Sequence, residues 1–268
     1  MGYKSIMVSV DTSEASAKRL RVAVALADRF QSKIIGVASE TFIPVFTYDT
    51  PAFDLTEEMR LAAEETIAEA EASFRAIVPT TCASEFRSDF DFPAFFLARQ
   101  ARVAELVIVG GHGGTELYPS LVVHTGDLVM RVGRPLLVVP PDCDHLAGKR
   151  VVVAWRDTRE ARRAFWDAMP FIEAADEVYV ASFGDRRDED GARDITQMLI
   201  ARGVCAVPVV RDVQEGSVAQ ALFEVATDHR ADLIVAGAYG HNRLREWILG
   251  GVTRDLILRS PVCCLLAH

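Results

Sequence analysis

The sequence repeats one arrangement twice, and this internal repeat restricts the fold more than any other feature. Short apolar runs rich in Val and Ile alternate with longer amphipathic stretches, first over residues 1–141 and again over residues 149–268. The two halves also end alike, in RPLLVV at residues 134–139 and SPVCCL at residues 260–265. Such runs between turn signals are typical of buried parallel strands joined by crossover helices. We therefore predict an α/β fold of two similar domains, residues 1–141 and 149–268.

Each half is predicted to contain five strands. The predicted strands are residues 6–10, 33–38, 82–86, 106–109, 135–139, 150–155, 177–182, 204–210, 233–236 and 262–266. The helices between them include residues 14–30, 56–78 with Thr56 as N-cap, 93–102, 158–169, 188–202, 217–229 and 243–259. Right-handed crossovers place helices on both faces, so each half should be a doubly wound, Rossmann-like parallel sheet. A single (β/α)₈ barrel is the alternative, but ten strands and the polar linker at 140–148 argue against it.

Composition excludes several classes of protein. Half of the residues are hydrophobic, and 38 Asp and Glu outnumber 29 Lys and Arg, giving a formal charge of −9. An acidic chain is a poor general nucleic-acid binder, because phosphate neutralisation needs a basic surface. No apolar run approaches the ~20 residues that span a bilayer. The five cysteines form no CxxC, which argues against a zinc site or a disulfide framework. We expect a cytoplasmic protein that binds neither nucleic acid nor membrane.

Candidate binding residues follow the predicted strands, because doubly wound sheets bind ligands at the carboxyl ends of their strands. Asp11 follows the first strand, where helix capping and ligand contact are both open interpretations. Gly237 and Gly240 follow the ninth strand, and 250–253 reads Gly-Gly-Val-Thr. Glycines let a backbone approach a ligand closely, and a helix N-terminus suits phosphate. Two glycines in a helix cost about 1 kcal/mol each, so we predict a helix start after the pair. A plain turn and helix break is the alternative.

Signatures of common catalytic and nucleotide sites are missing from the sequence. It has no GxxxxGK[ST] phosphate loop, no GxGxxG dinucleotide motif and no GxSxG nucleophile elbow. We also find no Ser/His/Asp or Cys/His arrangement that the spacing supports. The residues therefore favour binding over catalysis.

Two sequence motifs resemble the universal stress protein family. Residues 6–16, IMVSVDTSEAS, resemble the opening of such a domain, and Gly237-x-x-Gly240-x₉-Gly250 resembles its nucleotide loop. The resemblance covers both halves, so the chain resembles a tandem bacterial member. It implies two domains of the adenine nucleotide alpha hydrolase-like type, with ATP or another adenine nucleotide, with or without Mg²⁺, at the sheet edge. In such members the Asp after the first strand contacts adenosine, while the glycines and a following Ser or Thr hold phosphates.

Both halves depart from that family pattern. The first half keeps Asp11 but has Val123-His124-Thr125 where Gly and a hydroxyl residue are expected. The second half has Gly251 in place of the hydroxyl residue and Arg156 in place of the first-strand Asp. We therefore place a bound nucleotide in the second half. The candidate residues are Gly237, Gly240, Gly250, Gly251, Val252, Thr253 and Arg156, with Asp11 in the first half.

The resemblance also implies how the domains associate and what the chain does. Family domains pair through fifth-strand edges, so Leu136–Val139 should pair with the strand from Val262 to Leu266 within the chain. Whether two chains also form a homodimer stays open. Three functions remain: a stress-response adenine-nucleotide binding or signalling protein with little turnover, a slow ATPase or phosphotransferase, and a nucleotide-free module that binds protein partners or another small ligand.

Overall fold

The computed structural model describes residues 2–41, 52–111, 123, 125–183, 186–212, 217–240 and 251–268, with backbone only for residues 52–56. The strands are β1 Ser5–Ser9, β2 Lys33–Glu40, β3 Ser84–Phe90, β4 Leu106–Gly110, β5 Leu136–Val139, β6 Arg150–Trp155, β7 Glu177–Ser182, β8 Ala206–Val210, β9 Leu233–Gly237 and β10 Cys263–Ala267. The helices are α1 Glu14–Phe30, α2 Ala52–Ile77, α3 Pro93–Gln100, α4 Thr125–Arg131, α5 Arg159–Asp167, α6 Met169–Ile172, α7 Arg186–Ala201, α8 Val218–Asp228 and α9 Gly251–Arg259.

The ten strands form one continuous, open sheet in the order β3-β2-β1-β4-β5-β10-β9-β6-β7-β8. All pairs within each half are parallel, and the halves join where β5 pairs antiparallel with β10. Leu137 lies opposite Leu265 in this junction. The α/β fold class and the pairing of the fifth strands within one chain are confirmed, and the barrel alternative is wrong.

Among the described elements, α2 and β3 differ most from their predicted boundaries. Helix α2 begins at Ala52, so the prediction of Thr56 as its N-cap is wrong. Pro51 directly precedes this helix in the sequence, and proline is favoured at helix starts because it has no N–H to leave unpaired. Strand β3 runs over Ser84–Phe90, because its pairing with β2 continues as far as Glu40 opposite Phe90. The predicted helix over 243–259 can be compared only from Gly251 onward, since residues 241–250 lie outside the described residues.

Apolar side chains cover both faces of the sheet, as expected for parallel strands between helix layers. Alternate residues of β1 point to opposite sides, so Ile6 packs under one helix layer and Met7 under the other. Each of the two core layers extends across both halves. The layer containing Ile6 also includes Phe74 of α2 and Phe165 of α5. The halves therefore share their hydrophobic core instead of packing as separate bodies.

An aromatic cluster adds to the contact between the halves. The ring of Tyr3 lies 5.4 Å from that of Phe30 and 5.7 Å from that of Phe171. Its hydroxyl donates to the backbone oxygen of Asp167 at 2.6 Å. Burial raises the pKa of Tyr3 far above its usual value, so this hydroxyl keeps its proton. Within the described ranges, no helix is both long enough and apolar enough to cross a membrane.

Candidate functional site

In the first half, Asp11 lies just beyond β1 and is held by the start of α1. Its Oδ1 accepts hydrogen bonds from the backbone N–H of Ser13, at 2.9 Å, and from the Ser13 hydroxyl. Ser13 is the N-cap of α1, where its hydroxyl oxygen accepts the N–H of Ser16. Asp11 therefore orders the residue that caps the helix without capping it directly.

Arg19 makes the main ionic contact of Asp11. Its Nη2 lies 2.7 Å from Asp11 Oδ2, and its Nε donates to the backbone oxygen of Ser9 at 2.9 Å. The Arg19 side chain is only 4% exposed. Burial acts to raise the pKa of Asp11, but the guanidinium and the Ser13 hydrogen bonds outweigh it and hold the pKa below its usual value. Asp11 is thus an ionised member of a buried ion pair.

The same guanidinium fills the space at the end of β4. A Cβ placed on Gly110 would lie 2.6 Å from Arg19 Nη1. Because β1 and β4 are adjacent and mark the reversal of strand order, this is where a doubly wound sheet normally receives its ligand. Thr125, at the start of α4, is 1% exposed and donates its hydroxyl to the Gly110 oxygen at 3.2 Å. In the first half, protein groups therefore occupy the positions that would otherwise contact a ligand. His124 lies outside the described residues.

In the second half, Gly237 ends β9 against the first turn of α5. A Cβ at this position would lie 2.5 Å from the backbone nitrogen of Ala161 and 2.6 Å from the carbonyl carbon of Glu160. Only a glycine permits this approach of two backbones. Gly237 is therefore a packing residue, and its part in a binding loop is indirect.

Gly240 lies beside a buried carboxylate. A Cβ on Gly240 would be 3.2 Å from Glu160 Oε2, and Glu160 is 8% exposed. Burial acts to raise the pKa of Glu160, but its own backbone N–H, the Arg159 guanidinium and nearby His268 lower it by more. Arg159 Nη2 lies 3.0 Å from Glu160 Oε1 and is largely exposed. The edge of the second half thus carries a fixed negative charge with an outward-facing arginine beside it.

The start of α9 lies next to this edge. The backbone N–H of Tyr239, a residue with a φ of +58°, donates to Thr253 Oγ1 at 3.3 Å. Thr253 is 5% exposed, so its hydroxyl ties the loop after β9 to the helix. Gly251 is the first described residue of α9, so the prediction of a helix start after the Gly250-Gly251 pair is wrong. A Cβ on Gly251 would meet no atom of the described residues within 4 Å. Val252 is partly exposed. Among the described residues, Gly251 is therefore exposed and has no neighbour against its α-carbon.

Arg156 extends from the end of β6 toward α7. Its Nε lies 3.9 Å from Asp188 Oδ2, and its side chain is 58% exposed. The neighbouring Asp157 forms ion pairs with Arg162 and Arg187. The hydrogen bond from Arg162 lowers the pKa of Asp157 most, and the charges of both arginines lower it further. Arg156 thus takes part in a charged cluster at the N-terminus of α7.

Three groups of the predicted site residues can now be distinguished. Gly237, Gly240, Gly251 and Thr253 are arranged around the ends of β9 and α9, together with Val252. Arg156 extends to α7, and Asp11 belongs to the other half. Gly250 lies outside the described residues.

In the part of the chain that the structure describes, no group of three or more His, Cys, Asp or Glu side chains could hold a metal ion.

Sequence reasoning missed Arg19 and Glu160. A signal for Arg19 was present, because residues 16, 19, 20, 23, 26 and 27 recur at helical spacing among the buried residues of α1. An arginine on such a stripe requires a buried partner, and Asp11 is the nearby carboxylate. Glu160 gives no such signal, since a glutamate in the first turn of a helix is ordinarily an exposed partner of the helix dipole.

Comparisons with known proteins agree with this architecture. Residues 149–268 match the model of the universal stress protein family. A universal stress protein from Archaeoglobus fulgidus DSM 4304 is 19% identical, with a TM-score of 0.74 over 98% of this chain and 96% of that chain. A functionally unknown protein from Pseudomonas aeruginosa PAO1, PA1789, is 14% identical, with a TM-score of 0.58 over 99% and 92%. We found no match among curated proteins. The likeness of fold therefore extends over both halves.

Proposed function

We propose that this chain, whose residues 149–268 match the model of the universal stress protein family, binds an adenine nucleotide such as ATP at the carboxyl edge of its second half. The observation that supports this placement is the difference between the halves. A buried arginine fills the space beside Gly110 in the first half, whereas no described residue comes within 4 Å of a Cβ on Gly251 in the second half. The first half then serves as the folding and pairing partner of the binding half.

The first turn of α9 is the part of this edge that suits phosphate. The N–H groups in the first turn of an α-helix have no partner within the helix and carry the partial positive charge of a helix N-terminus. The absent side chain of Gly251 leaves them approachable. Thr253 faces inward to Tyr239, so its contribution is to hold the loop against the helix. Arg159, largely exposed beside this edge, supplies a cation for the phosphates.

The ionised carboxylate of Glu160 opposes this binding when no cation is present. A triphosphate near Gly240 would meet a like charge in a partly desolvated place. Mg²⁺ carried by the nucleotide would reduce that repulsion, and we expect tighter binding with Mg²⁺ than without it. Asp11 and Asp157, the carboxylates available to position a water molecule, are both held in ion pairs. This arrangement favours binding with little turnover over an ATPase.

Isothermal titration calorimetry with ATP, ADP and AMP, each with and without Mg²⁺, tests the proposal. Gly251→Val should weaken ATP binding by at least tenfold, since its side chain would cover the first turn of α9. Gly126→Val, near the start of the corresponding helix α4, is the matched control and should leave affinity unchanged. Binding that neither substitution alters would place the nucleotide elsewhere, and an absence of heat with all three nucleotides would refute the proposal.

A nucleotide-free binding module is the second candidate, and the charge of Glu160 is the observation that favours it. Glu160→Gln separates the two functions, because it removes the charge and keeps the size of the side chain. If the site binds nucleotide, this variant should bind ATP more tightly in the absence of Mg²⁺. If the cleft serves a different ligand, neither the original chain nor the variant should bind ATP.

A further inference from the structure

Two cysteines distant in the sequence lie side by side in the fold. Cys143 belongs to the linker between β5 and β6, and Cys263 is the first residue of β10. Their sulfur atoms are 3.6 Å apart. Cys263 is buried, whereas Cys143 is partly exposed to solvent. One thiol of the pair is thus accessible to a small reagent, and the other is positioned directly behind it.

The surroundings of the pair allow its sulfur atoms to approach. The S–S distance in a disulfide is about 2 Å, so the two atoms need to move together by roughly 1.6 Å. Cys143 lies in a stretch without helix or strand, held by a turn in which its N–H donates to the Pro140 oxygen at 3.0 Å. The linker is anchored further along, where the N–H of Gly148 donates to Asp232 at 2.6 Å. A small shift at Cys143 therefore leaves both strands in place.

The neighbouring cysteine provides an internal contrast. Cys264 follows Cys263 on β10, but it faces the opposite core layer. Its sulfur lies 3.1 Å from the Ser260 hydroxyl. Burial raises the pKa of Cys264 to about 12, although the Ser260 hydrogen bond acts in the other direction. Cys264 is thus a protonated, enclosed thiol on the face of the sheet away from Cys143.

Cys143 has the character of the reacting thiol. A hydrogen bond with Cys263 lowers the pKa of Cys143 to about 7, against the opposing effects of burial and of the Asp144 and Asp232 charges. Cys263 keeps its proton, because its contact with Cys143 and its burial both raise its pKa. Thiolates are the species that react with peroxides, so Cys143 would react first at neutral pH.

We propose that Cys143 and Cys263 form a site of reversible oxidation by a hydroperoxide, which joins the linker to β10 through a disulfide. The Cys143 thiolate attacks a peroxide oxygen, the O–O bond breaks, and hydroxide leaves to give a sulfenic acid. The sulfur of Cys263 then attacks the sulfur of Cys143, the S–O bond breaks, and the departing hydroxide takes the Cys263 proton. With hydrogen peroxide, two thiols and one peroxide become one disulfide and two water molecules.

Such a bond would secure the junction between the halves. Cys263 lies on the strand that pairs with β5, and Cys143 lies just after the end of β5. A covalent link between them closes a long loop that contains most of the second half, which restricts the unfolded chain. We expect the oxidised protein to unfold at a higher urea concentration than the reduced protein, and a thiol reductant to reverse the shift.

The test uses the full chain with Cys82→Ser and Cys205→Ser. These changes leave Cys143, Cys263 and Cys264 as the only thiols in the sequence. After hydrogen peroxide treatment, the intact mass should fall by two hydrogen atoms. Trypsin should then yield peptide 132–149 joined to peptide 260–268 unless reductant is added. Cys263 and Cys264 share the second peptide, so Cys264→Ser, which should keep the link, and Cys263→Ser, which should lose it, identify the partner.

Other outcomes would overturn the proposal. These are a link that survives Cys263→Ser, and oxidation of Cys143 to sulfenic or sulfinic acid without a link. A third is a chain that stays fully reduced while exposed Cys205 of the unsubstituted protein is oxidised. If Cys263→Ser does not fold, Cys143→Ser replaces it, since a linker residue tolerates the change more readily. That variant should show neither the mass loss nor the urea shift.

Discussion

Replacing Arg19 with methionine should destabilise the first half strongly, because it leaves the Asp11 carboxylate without its cation. Removing one partner of a buried ion pair costs about 3–5 kcal/mol. Arg19 is 4% exposed but Asp11 is 18% exposed and keeps its Ser13 hydrogen bonds, so we expect a value near the lower limit. Methionine retains most of the apolar volume, which isolates the electrostatic loss. Replacing both partners, with Asp11→Asn and Arg19→Met, should bring the cost back toward zero.

Urea unfolding should be followed by two signals. All three tryptophans, Trp155, Trp166 and Trp247, belong to the second half. Their fluorescence therefore reports that half, while far-UV circular dichroism reports the whole chain. Because the halves share a core, we expect both transitions to move to lower urea in Arg19→Met. If only circular dichroism moves, the first half unfolds alone, which the shared core does not predict.

The pH dependence provides a second check with a definite sign. In the original chain the folded-state pKa of Asp11 is lowered, so its contribution is present above the unfolded pKa of about 3.9 and is lost as pH falls through the folded value. In Arg19→Met the lowering effect of the guanidinium is lost while the Ser13 hydrogen bonds remain, so the pKa of Asp11 should be higher than in the original chain. The cost of the substitution should therefore be larger at pH 7 than near pH 4. A cost below about 1 kcal/mol at pH 7, or one that does not change with pH, would refute the buried ion pair.

Three further substitutions and one control substitution test other contacts by the same urea unfolding measurement. Gly237→Ala should destabilise the protein by about 1–3 kcal/mol, because its Cβ would overlap the backbone of α5. Gly251→Ala is its matched control and should change stability by less than about 1 kcal/mol, since its Cβ would meet no atom of the described residues within 4 Å. Tyr3→Phe should cost about 1 kcal/mol through the lost hydrogen bond to the Asp167 oxygen. An unchanged urea midpoint would show that this bond does not stabilise the contact between the halves. Leu265→Ala, at the fully buried β5–β10 junction, should cost about 2–5 kcal/mol, and a loss below 1 kcal/mol would contradict the shared core.

The fold could be predicted from the sequence to a large extent, because its determinants are periodic. Buried parallel strands require continuous apolar runs, and the matching ends at 134–139 and 260–265 made the repeat visible. The pairing of the fifth strands rests only on the family resemblance, and its antiparallel direction follows from the structure. The start of α2 was missed, because propensity at a helix end is weak and the proline before Ala52 was not used.

The candidate site was less predictable, because its properties depend on contacts between distant residues. The spacing of Gly237 and Gly240 located the edge, but that Gly237 is packed against α5 follows only from the crossing of two backbones. Similarly, the sequence alone indicates that Asp11 is a free hydrogen-bond acceptor. In the structure it pairs with Arg19, which lies eight residues further along the chain. The charge of Glu160 beside Gly240 results from tertiary packing that no local pattern reports.

Because the two half-sheets are joined within one chain, their sequences can evolve independently of each other. In a symmetric homodimer every substitution appears on both sides of the interface. Here the two halves are separate stretches of sequence, so Arg19 could arise at one edge while the other edge kept its glycines. The antiparallel junction also makes the strands of the two halves run in opposite directions, which puts their carboxyl ends at opposite margins of the sheet. A ligand bound at the carboxyl edge of one half therefore makes no contact with the carboxyl edge of the other half. Substitutions can change the binding site of each half independently.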